Sequence, residues 1–191
     1  MTGKKAATGR LQLALLALVF FGPLFLAAGM YFTGWGFQSA GRTNHGDLLQ
    51  PVIPVADDLP DSPLLENIGG RWLLLYSNDG ACEDDCRNAL YILRQSRLAL
   101  GSDMERLGRV LLRVESAPDT VIPGQEYAGT TILTDDALSE WLQHKKPAAA
   151  APGGYFLVDP LGNLVMYFSP EIDPSAMLED IKHLLELSRI G

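Results

Sequence analysis

The chain has 191 residues, 47% of them hydrophobic, and a formal net charge of −8 at pH 7, which together indicate one globular domain with an additional segment. Residues 1–40 contain no Asp or Glu, whereas the remainder carries all 23 acidic residues and only 12 of the 15 basic ones. A surface this acidic repels a phosphate backbone, so the composition excludes a nucleic-acid-binding protein. The sequence also lacks the motifs of phosphate-binding loops, serine hydrolases and zinc proteases.

An uncharged apolar run occupies residues 11–32, with Gln12 as its one polar side chain. At ~1.5 Å per residue, a helix of this length spans about 33 Å, enough to cross a hydrocarbon core of about 30 Å. We predict a transmembrane helix here, because the run is too long for the competing interpretation, a cleaved signal peptide. Basic residues precede the run, so the positive-inside rule places residues 1–10 in the cytoplasm and the domain outside it. No transit peptide precedes it, which favours a bacterial plasma (inner) membrane and a periplasmic domain.

The segment that follows, residues 33–63, contains four glycines and four prolines without a sustained period. Such a composition is typical of linkers, because glycine and proline interrupt regular structure. We therefore predict an extracytoplasmic tether over residues 33–63 and a folded domain over residues 64–191.

The domain alternates strand and helix signals. In chain order we predict a buried strand at 71–77, a helix at 84–100, a strand at 109–114, a short extended piece at 131–133, a helix at 136–144 capped by Asp135, a hairpin of strands 154–159 and 163–168, and a last helix begun by Asp173 and Pro174. A helical crossover between parallel strands, followed by an antiparallel hairpin, predicts a mixed sheet with flanking helices. The expected fold is therefore α/β and thioredoxin-like, preceded by one N-terminal transmembrane helix.

The two cysteines of the chain, Cys82 and Cys86, lie where the loop after the first strand enters the next helix. On a helical turn their Cα atoms are about 6 Å apart, within disulfide range. The pair suits a redox disulfide, a purely structural disulfide in an oxidising compartment, or two soft ligands for copper(I). We expect the acidic residues 83–85 to raise the pKa of both thiols, despite the helix dipole and Arg87, which disfavours a general thiol–disulfide oxidoreductase.

Two segments together resemble the Sco family, copper proteins that help to assemble cytochrome c oxidase. One is the strand WLLLYS followed by Gly80-x-Cys82-x-x-x-Cys86 and a helix, and the other is residues 155–168 with their Asp-Pro-Leu-Gly turn. The resemblance covers roughly residues 65–188. It implies copper as a cofactor at Cys82 and Cys86, and respiratory oxidase subunits or assembly factors as partners.

The chain departs from that family at the copper site. Ala151 stands where the family has a copper-ligand histidine, eleven residues before the turn glycine, and Arg87 replaces the proline that follows the second cysteine. Among the three histidines of the chain, His144 is the best substitute ligand, since it ends the short helix that leads toward Ala151. The site therefore looks incomplete or rebuilt.

Three functional hypotheses follow. The first is an oxidase assembly factor, rather than a turnover enzyme, that works through copper or thiol chemistry at the cysteine pair. The second is a non-catalytic thioredoxin-fold docking module whose disulfide is structural. The third, a thiol–disulfide reductase for a specific partner, is disfavoured by the acidic residues beside the cysteines.

Overall fold

The computed structural model describes residues 3–33, 44–78, 82–118 and 127–188, which belong to two compact units, Met1–Thr43 and Asn44–Gly191. In the first unit, helix α1 covers Gly3–Thr33 and includes Pro23. The predicted span, residues 11–32, lies within α1, which begins inside the segment predicted as a cytoplasmic tail. Within the described residues, no helix combines the length and hydropathy that a membrane crossing requires.

The second unit is an α/β domain. Its described elements are β1 (Asp47–Pro54), α2 (Val55–Asp58), α3 (Pro63–Ile68), β2 (Trp72–Asn78), α4 (Asp84–Ala99), a 3-10 helix (Gly101–Arg106), β3 (Leu107–Arg113), β4 (Thr130–Thr134), α5 (Asp136–Lys145), β5 (Gly154–Val158), β6 (Asn163–Phe168) and α6 (Pro174–Leu187).

The six strands form one mixed sheet in the order β1-β6-β5-β2-β3-β4. Strands β2, β3 and β4 are parallel, whereas β5 and β6 form the predicted antiparallel hairpin, and β5 pairs antiparallel with β2. In the hairpin turn, the Asp159 carboxylate accepts hydrogen bonds from the backbone N–H of Leu161 and Asn163, at 2.9 Å each. Gly162 has a φ of +86°, a value that glycine adopts without strain.

Each face of the sheet carries its own apolar core. Alternate β2 side chains point to opposite faces: Trp72, Leu74 and Tyr76 pack with α4 and α6, whereas Leu73 and Leu75 pack with α3 and α5. A strand buried on both faces is a continuous apolar run, which is why the pattern of β2 could be recognised. The thioredoxin-like mixed sheet with flanking helices is confirmed.

The caps predicted for the last two helices are also confirmed. The Asp135 carboxylate accepts a hydrogen bond from the Leu138 N–H at 3.0 Å at the start of α5. The Asp173 carboxylate accepts one from the Ser175 N–H at 3.0 Å, and Pro174 occupies the first turn of α6. Each carboxylate satisfies a helix N–H that would otherwise lack an intrahelical partner.

The structure differs from the predicted tether, residues 33–63, and this boundary is corrected. Residues 34–43 lie outside the described residues, but β1, α2 and the start of α3 all fall within the remaining part. Strand β1 pairs antiparallel with β6 at the edge of the sheet. Proline is tolerated in an edge strand, because no second neighbour needs its missing N–H. The domain therefore begins at Asn44 rather than at residue 64.

Candidate functional site

The cysteine pair lies at the junction between β2 and α4. Cys82 precedes the helix and Cys86 is its third residue, and their sulfur atoms form a disulfide with the Cα atoms 4.9 Å apart. The two residues are only 6% and 1% exposed, and both belong to the core on the α4 face. The helical turn thus places the sulfurs within bonding distance, as the spacing predicted, and packs them under the surface.

The acidic residues between the cysteines point to solvent. Glu83, Asp84 and Asp85 are all exposed, and Asp84 forms an ion pair with Arg87 on the next turn. The Asp84 carboxylate raises the pKa of Arg87 by hydrogen bonding and by charge attraction. Water screens exposed charges strongly, and Arg87 neutralises one of the three. The electrostatic effect of these acids on the sulfurs is therefore smaller than three unpaired charges would give.

A groove of about 270 Å³ lies against the first turns of α4. Asp85 and Asn88 of α4 line one side, and Pro152, Tyr155 and Glu171 contribute to the rest. The groove is therefore a concave surface on the side of the domain that carries the cysteines, and it is lined by both aromatic and acidic residues.

Two buried tyrosines form part of the same groove. The rings of Tyr76 and Tyr155 are 5.3 Å apart between centroids and tilted by 46°. Burial, with a smaller contribution from Tyr76, raises the pKa of Tyr155 well above its usual value. Tyr155 therefore stays neutral well above physiological pH, and its residue forms part of the groove wall.

The structure does not bring His144 to the cysteines. His144 is in the last turn of α5, whose buried residues Leu138 and Leu142 belong to the core on the opposite face of the sheet from Cys86. Its side chain is 76% exposed, with Nε2 3.9 Å from a Glu140 carboxylate oxygen. A ligand role for His144 stays a prediction.

A three-ligand metal site is not formed by the part of the chain that the structure describes. No group of three or more His, Cys, Asp or Glu side chains within it could hold a metal ion. Ala151, at the position that the resemblance assigns to a histidine, directly precedes Pro152 of the groove, so the position is close to the site but has only a methyl group. The sulfurs of Cys82 and Cys86 remain as a donor pair, which suits copper(I) because that ion accepts few, soft ligands.

One polar contact that the sequence analysis missed joins the start of the domain to its last helix. The backbone N–H groups of His45 and Gly46 both donate to Oδ2 of Asp180 at 2.8 Å, and Nδ1 of His45 is 3.2 Å from Oδ1. Asp180 is only 6% exposed. The sequence signal that could have revealed this contact is the position of Asp180, three residues after Met177 on the apolar face of α6, where a carboxylate needs a partner.

Comparisons with known proteins agree with this architecture. A family model described as "Transmembrane-like, thioredoxin-like, C-terminal domain" matches residues 72–188, and one described as "Transmembrane-like, N-terminal domain" matches residues 5–34. No curated protein matches the chain at a significant level.

Solved structures of Sco1 proteins share the fold. The solution structure of apo Sco1 from Thermus thermophilus has a TM-score of 0.53 and 19% identity, and the match covers 76% of this chain and 99% of that one. The crystal structure of yeast Sco1 has a TM-score of 0.50 and 20% identity, over 65% of this chain and 85% of that one. The chain therefore belongs to the family of transmembrane-like, thioredoxin-like C-terminal domains, and its domain has a Sco-like thioredoxin fold.

Proposed function

We propose that this protein is a membrane-anchored, Sco-like factor that assists the assembly of a respiratory oxidase, cytochrome c oxidase, through thiol or copper chemistry at Cys82 and Cys86. The observation that carries the proposal is the disulfide at the start of α4, beside an open groove. The Sco-like fold and the motif resemblance support the oxidase as the partner. The role we propose is that of an assembly factor rather than a turnover enzyme, and the motif resemblance supports it.

The anchor is helix α1, inserted through residues 11–32 in the bacterial inner membrane, with its N-terminus in the cytoplasm and the domain in the periplasm. The match of residues 5–34 to a transmembrane-like model supports it. So do the apolar side chains that α1 exposes, such as Leu16 at 70%, Phe20 at 78% and Phe25 at 72%. A contiguous apolar surface of this kind marks a membrane or protein contact.

The thiol chemistry is an exchange with a partner dithiol. A partner thiolate attacks the sulfur of Cys82, the less buried of the two, and forms a mixed disulfide while Cys86 leaves as a thiolate. The second partner thiol, after losing its proton, then displaces Cys82, so that the partner is oxidised to a disulfide and this protein gains two electrons. The position of Cys86 in the first turn of α4 helps it to leave, because the helix N-terminus stabilises negative charge.

The copper chemistry requires the reduced pair. The two thiolates would then hold copper(I), and the buried surroundings would exclude water from them. Because no group of three or more His, Cys, Asp or Glu side chains forms a metal site within the described residues, we propose a two-sulfur site at Cys82 and Cys86. His144 stays a weaker candidate, tested below.

Titration with copper(I) tests the metal form. The full chain in detergent is reduced, freed of the reductant and titrated anaerobically against a competing copper(I) chelator. We expect stoichiometric binding, absent from the variant that combines Cys82→Ser and Cys86→Ser. The His144→Ala variant serves as the matched control: unchanged affinity excludes that residue as a ligand, and a loss assigns it. Absence of binding that depends on both cysteines would rule out the copper form.

The second candidate function is a non-catalytic docking module. The burial of both cysteine residues, at 6% and 1% exposure, favours it, because a structural disulfide needs no access. An oxidase-assembly assay in cells that carry the double Cys→Ser variant separates the two functions. Assembly at wild-type level, with the variant present at wild-type abundance, identifies a docking module, whereas loss of assembly identifies cysteine chemistry.

A further inference from the structure

The groove beside the disulfide has a buried floor and an exposed rim. Its floor is formed by Tyr76, Ala89 and Tyr155, which are at most 7% exposed. All three belong to the same apolar core as Cys82 and Cys86, and Ala89 follows Cys86 by less than one helical turn. The groove therefore borders the part of the core that contains the disulfide.

The rim of the groove combines negative charge with apolar surface. Asp85 and Asn88 of α4 are exposed on one side, and Glu171 is exposed in the turn after β6. The exposed Pro152 and the half-buried Pro170 add apolar surface. Neither carboxylate forms an ion pair within the part of the chain that the structure describes. The groove thus carries two uncompensated negative charges.

The segments that border the groove do not supply positive charge. Residues 72–86 and 147–181 contain no Lys or Arg. Arg87 follows the first of these segments, but it pairs with Asp84, which raises its pKa, whereas Glu83 contributes least to that shift. A cation that compensates the rim must therefore come from another molecule.

This charge affects the exchange reaction at the disulfide. The attacking species is a thiolate, which is an anion. The carboxylates of Glu83, Asp85 and Glu171 repel it as it approaches Cys82. Lys or Arg residues beside the partner's thiols offset this repulsion, and they also lower the pKa of the attacking thiol and increase its thiolate fraction. The charge of the groove therefore favours a partner with basic residues around its dithiol.

The same charge disfavours other occupants of the groove. Residues 41–191 carry 23 acidic and 12 basic residues, so a second copy of the domain brings a net charge of −11. An anionic lipid surface is repelled for the same reason. A basic protein segment that also contains apolar side chains matches both the acidic rim and its prolines.

We propose that the groove binds a basic, partly apolar segment of the partner, in which Lys or Arg residues flank the dithiol that exchanges with Cys82 and Cys86. Asp85 and Glu171 pair with the basic side chains, and the apolar side chains contact the prolines of the rim. The inference rests on the proposed function, because it names the class of partner that reaches the same cysteine pair.

Two synthetic dithiol peptides of equal length test the proposal. Both contain Leu-Cys-Ala-Ala-Cys-Leu, flanked by Lys and Arg in the basic peptide and by Glu in the acidic one. Each is mixed with the oxidised full chain in an uncharged detergent, and thiol alkylation followed by mass spectrometry gives the second-order rate constant for reduction of the disulfide. The groove variant combines Asp85→Asn and Glu171→Gln. Each peptide is compared with itself on both proteins, so its own thiol reactivity cancels.

We expect the groove variant to slow the basic peptide at least about fivefold and to accelerate the acidic one, because an attraction is lost in the first case and a repulsion in the second. Salt at about 1 M, where the Debye length is about 3 Å, should reduce both effects. Glu171→Gln alone leaves α4 unchanged and should shift both rates in the same directions, which guards against a folding defect in the double variant.

The matched control combines Asp57→Asn and Glu66→Gln. It removes the same charge from exposed positions on α2 and α3, which pack on the opposite face of the sheet from Cys86. Both rates should stay within about twofold of the wild type, because these positions are more than a Debye length from the groove at moderate salt. Equal responses of the two peptides to the groove variant, or an equal effect of the control variant, would overturn the proposal.

A second measurement separates this inference from the proposed function. Serine versions of both peptides cannot exchange, so the fluorescence anisotropy of a labelled peptide reports binding alone. We expect saturable binding of the basic serine peptide, weakened at least about fivefold by the groove variant. If it binds in this way but neither dithiol peptide reduces the disulfide, the docking stands and the thiol chemistry fails. If both dithiol peptides reduce the disulfide without dependence on the groove carboxylates, the thiol chemistry stands and the docking proposal is overturned.

Discussion

The contact between Asp180 and the start of the domain gives the sharpest test of the corrected domain boundary. The change is Asp180→Ala, which removes the acceptor for the backbone N–H groups of His45 and Gly46, both at 2.8 Å. A hydrogen bond to a charged group contributes about 1.5–3 kcal/mol when it is sheltered from water. The contact with the half-exposed His45 ring adds little, because solvent competes for it.

The two backbone bonds therefore set the expected loss at about 3 kcal/mol in the free energy of unfolding. For a domain of this size that loss lowers Tm by about 10 °C. Denaturant unfolding of the full chain in detergent measures the first quantity and a thermal scan measures the second. Amide hydrogen exchange should accelerate in β1, Asp47–Pro54, more than in β2, because the change releases the chain just before β1.

Glu179→Gln is the matched control, since Glu179 is the exposed carboxylate next to Asp180 on α6. It should change the free energy of unfolding by less than about 0.5 kcal/mol. If Asp180→Ala behaves like this control, with the exchange of β1 unaltered, then residues 44–63 are a tether after all and the reasoning is refuted.

Three further predictions concern the cysteine site and the strand beside it. Gly154→Ala should destabilise the domain by about 3 kcal/mol, because Gly154 has a φ of +122° and a Cβ there would lie 2.8 Å from the Phe168 carbonyl oxygen, combining backbone strain with overpacking. Tyr155→Phe should reduce the loss of stability above pH 10, because the raised pKa keeps the phenol protonated in the folded state while the unfolded chain ionises, so that rising pH favours unfolding of the wild type. Reduction of the Cys82–Cys86 disulfide should lower the free energy of unfolding by at most about 2 kcal/mol, because the chain-entropy model assigns little to so short a loop.

Denaturant unfolding checks all three, each with its own control. Gly70→Ala, at a φ of +74° with no atom within 4 Å of the new Cβ, isolates the strain and should have a smaller effect than Gly154→Ala. Tyr91→Phe removes an exposed tyrosine and should leave the alkaline profile unchanged. The double Cys→Ser variant should show no response to reductant. An alkaline profile that Tyr155→Phe leaves unaltered, or a loss of much more than 2 kcal/mol on reduction, would contradict the corresponding argument.

Much of the fold could be predicted because its central elements carry local signals. Strand β2 is a continuous apolar run, α5 and α6 begin at capping aspartates, and the β5–β6 turn has a glycine with positive φ. Strand β1 could not be predicted, because its two prolines resemble a linker and its stability comes from pairing with β6 more than 100 residues away. Tertiary pairing overrides local propensity most readily at the edge of a sheet.

In the candidate site, too, the features set by local sequence could be predicted and those set by tertiary packing could not. The position of Cys82 and Cys86 follows from their spacing and from the strand before them, so the sequence predicts their proximity. The distance of His144 from them depends on which face of the sheet α5 covers, and no pattern within a helix determines that. Arg109 was part of a predicted strand, but the burial of its side chain, which is only 6% exposed, depends on tertiary packing that no local pattern shows.

The proline content of β1 also affects how the sheet ends. Strands β1 and β4 are its two edges, and β1 contains Pro51 and Pro54, which have no backbone N–H to offer a further strand. Its register shift against β6, between Leu48 and Ile53, interrupts the regular ladder as well. Edges of this kind resist strand addition and therefore aggregation. The same two prolines that make β1 resemble a linker in the sequence thus give the folded domain an edge on which β-sheet polymerisation does not readily begin.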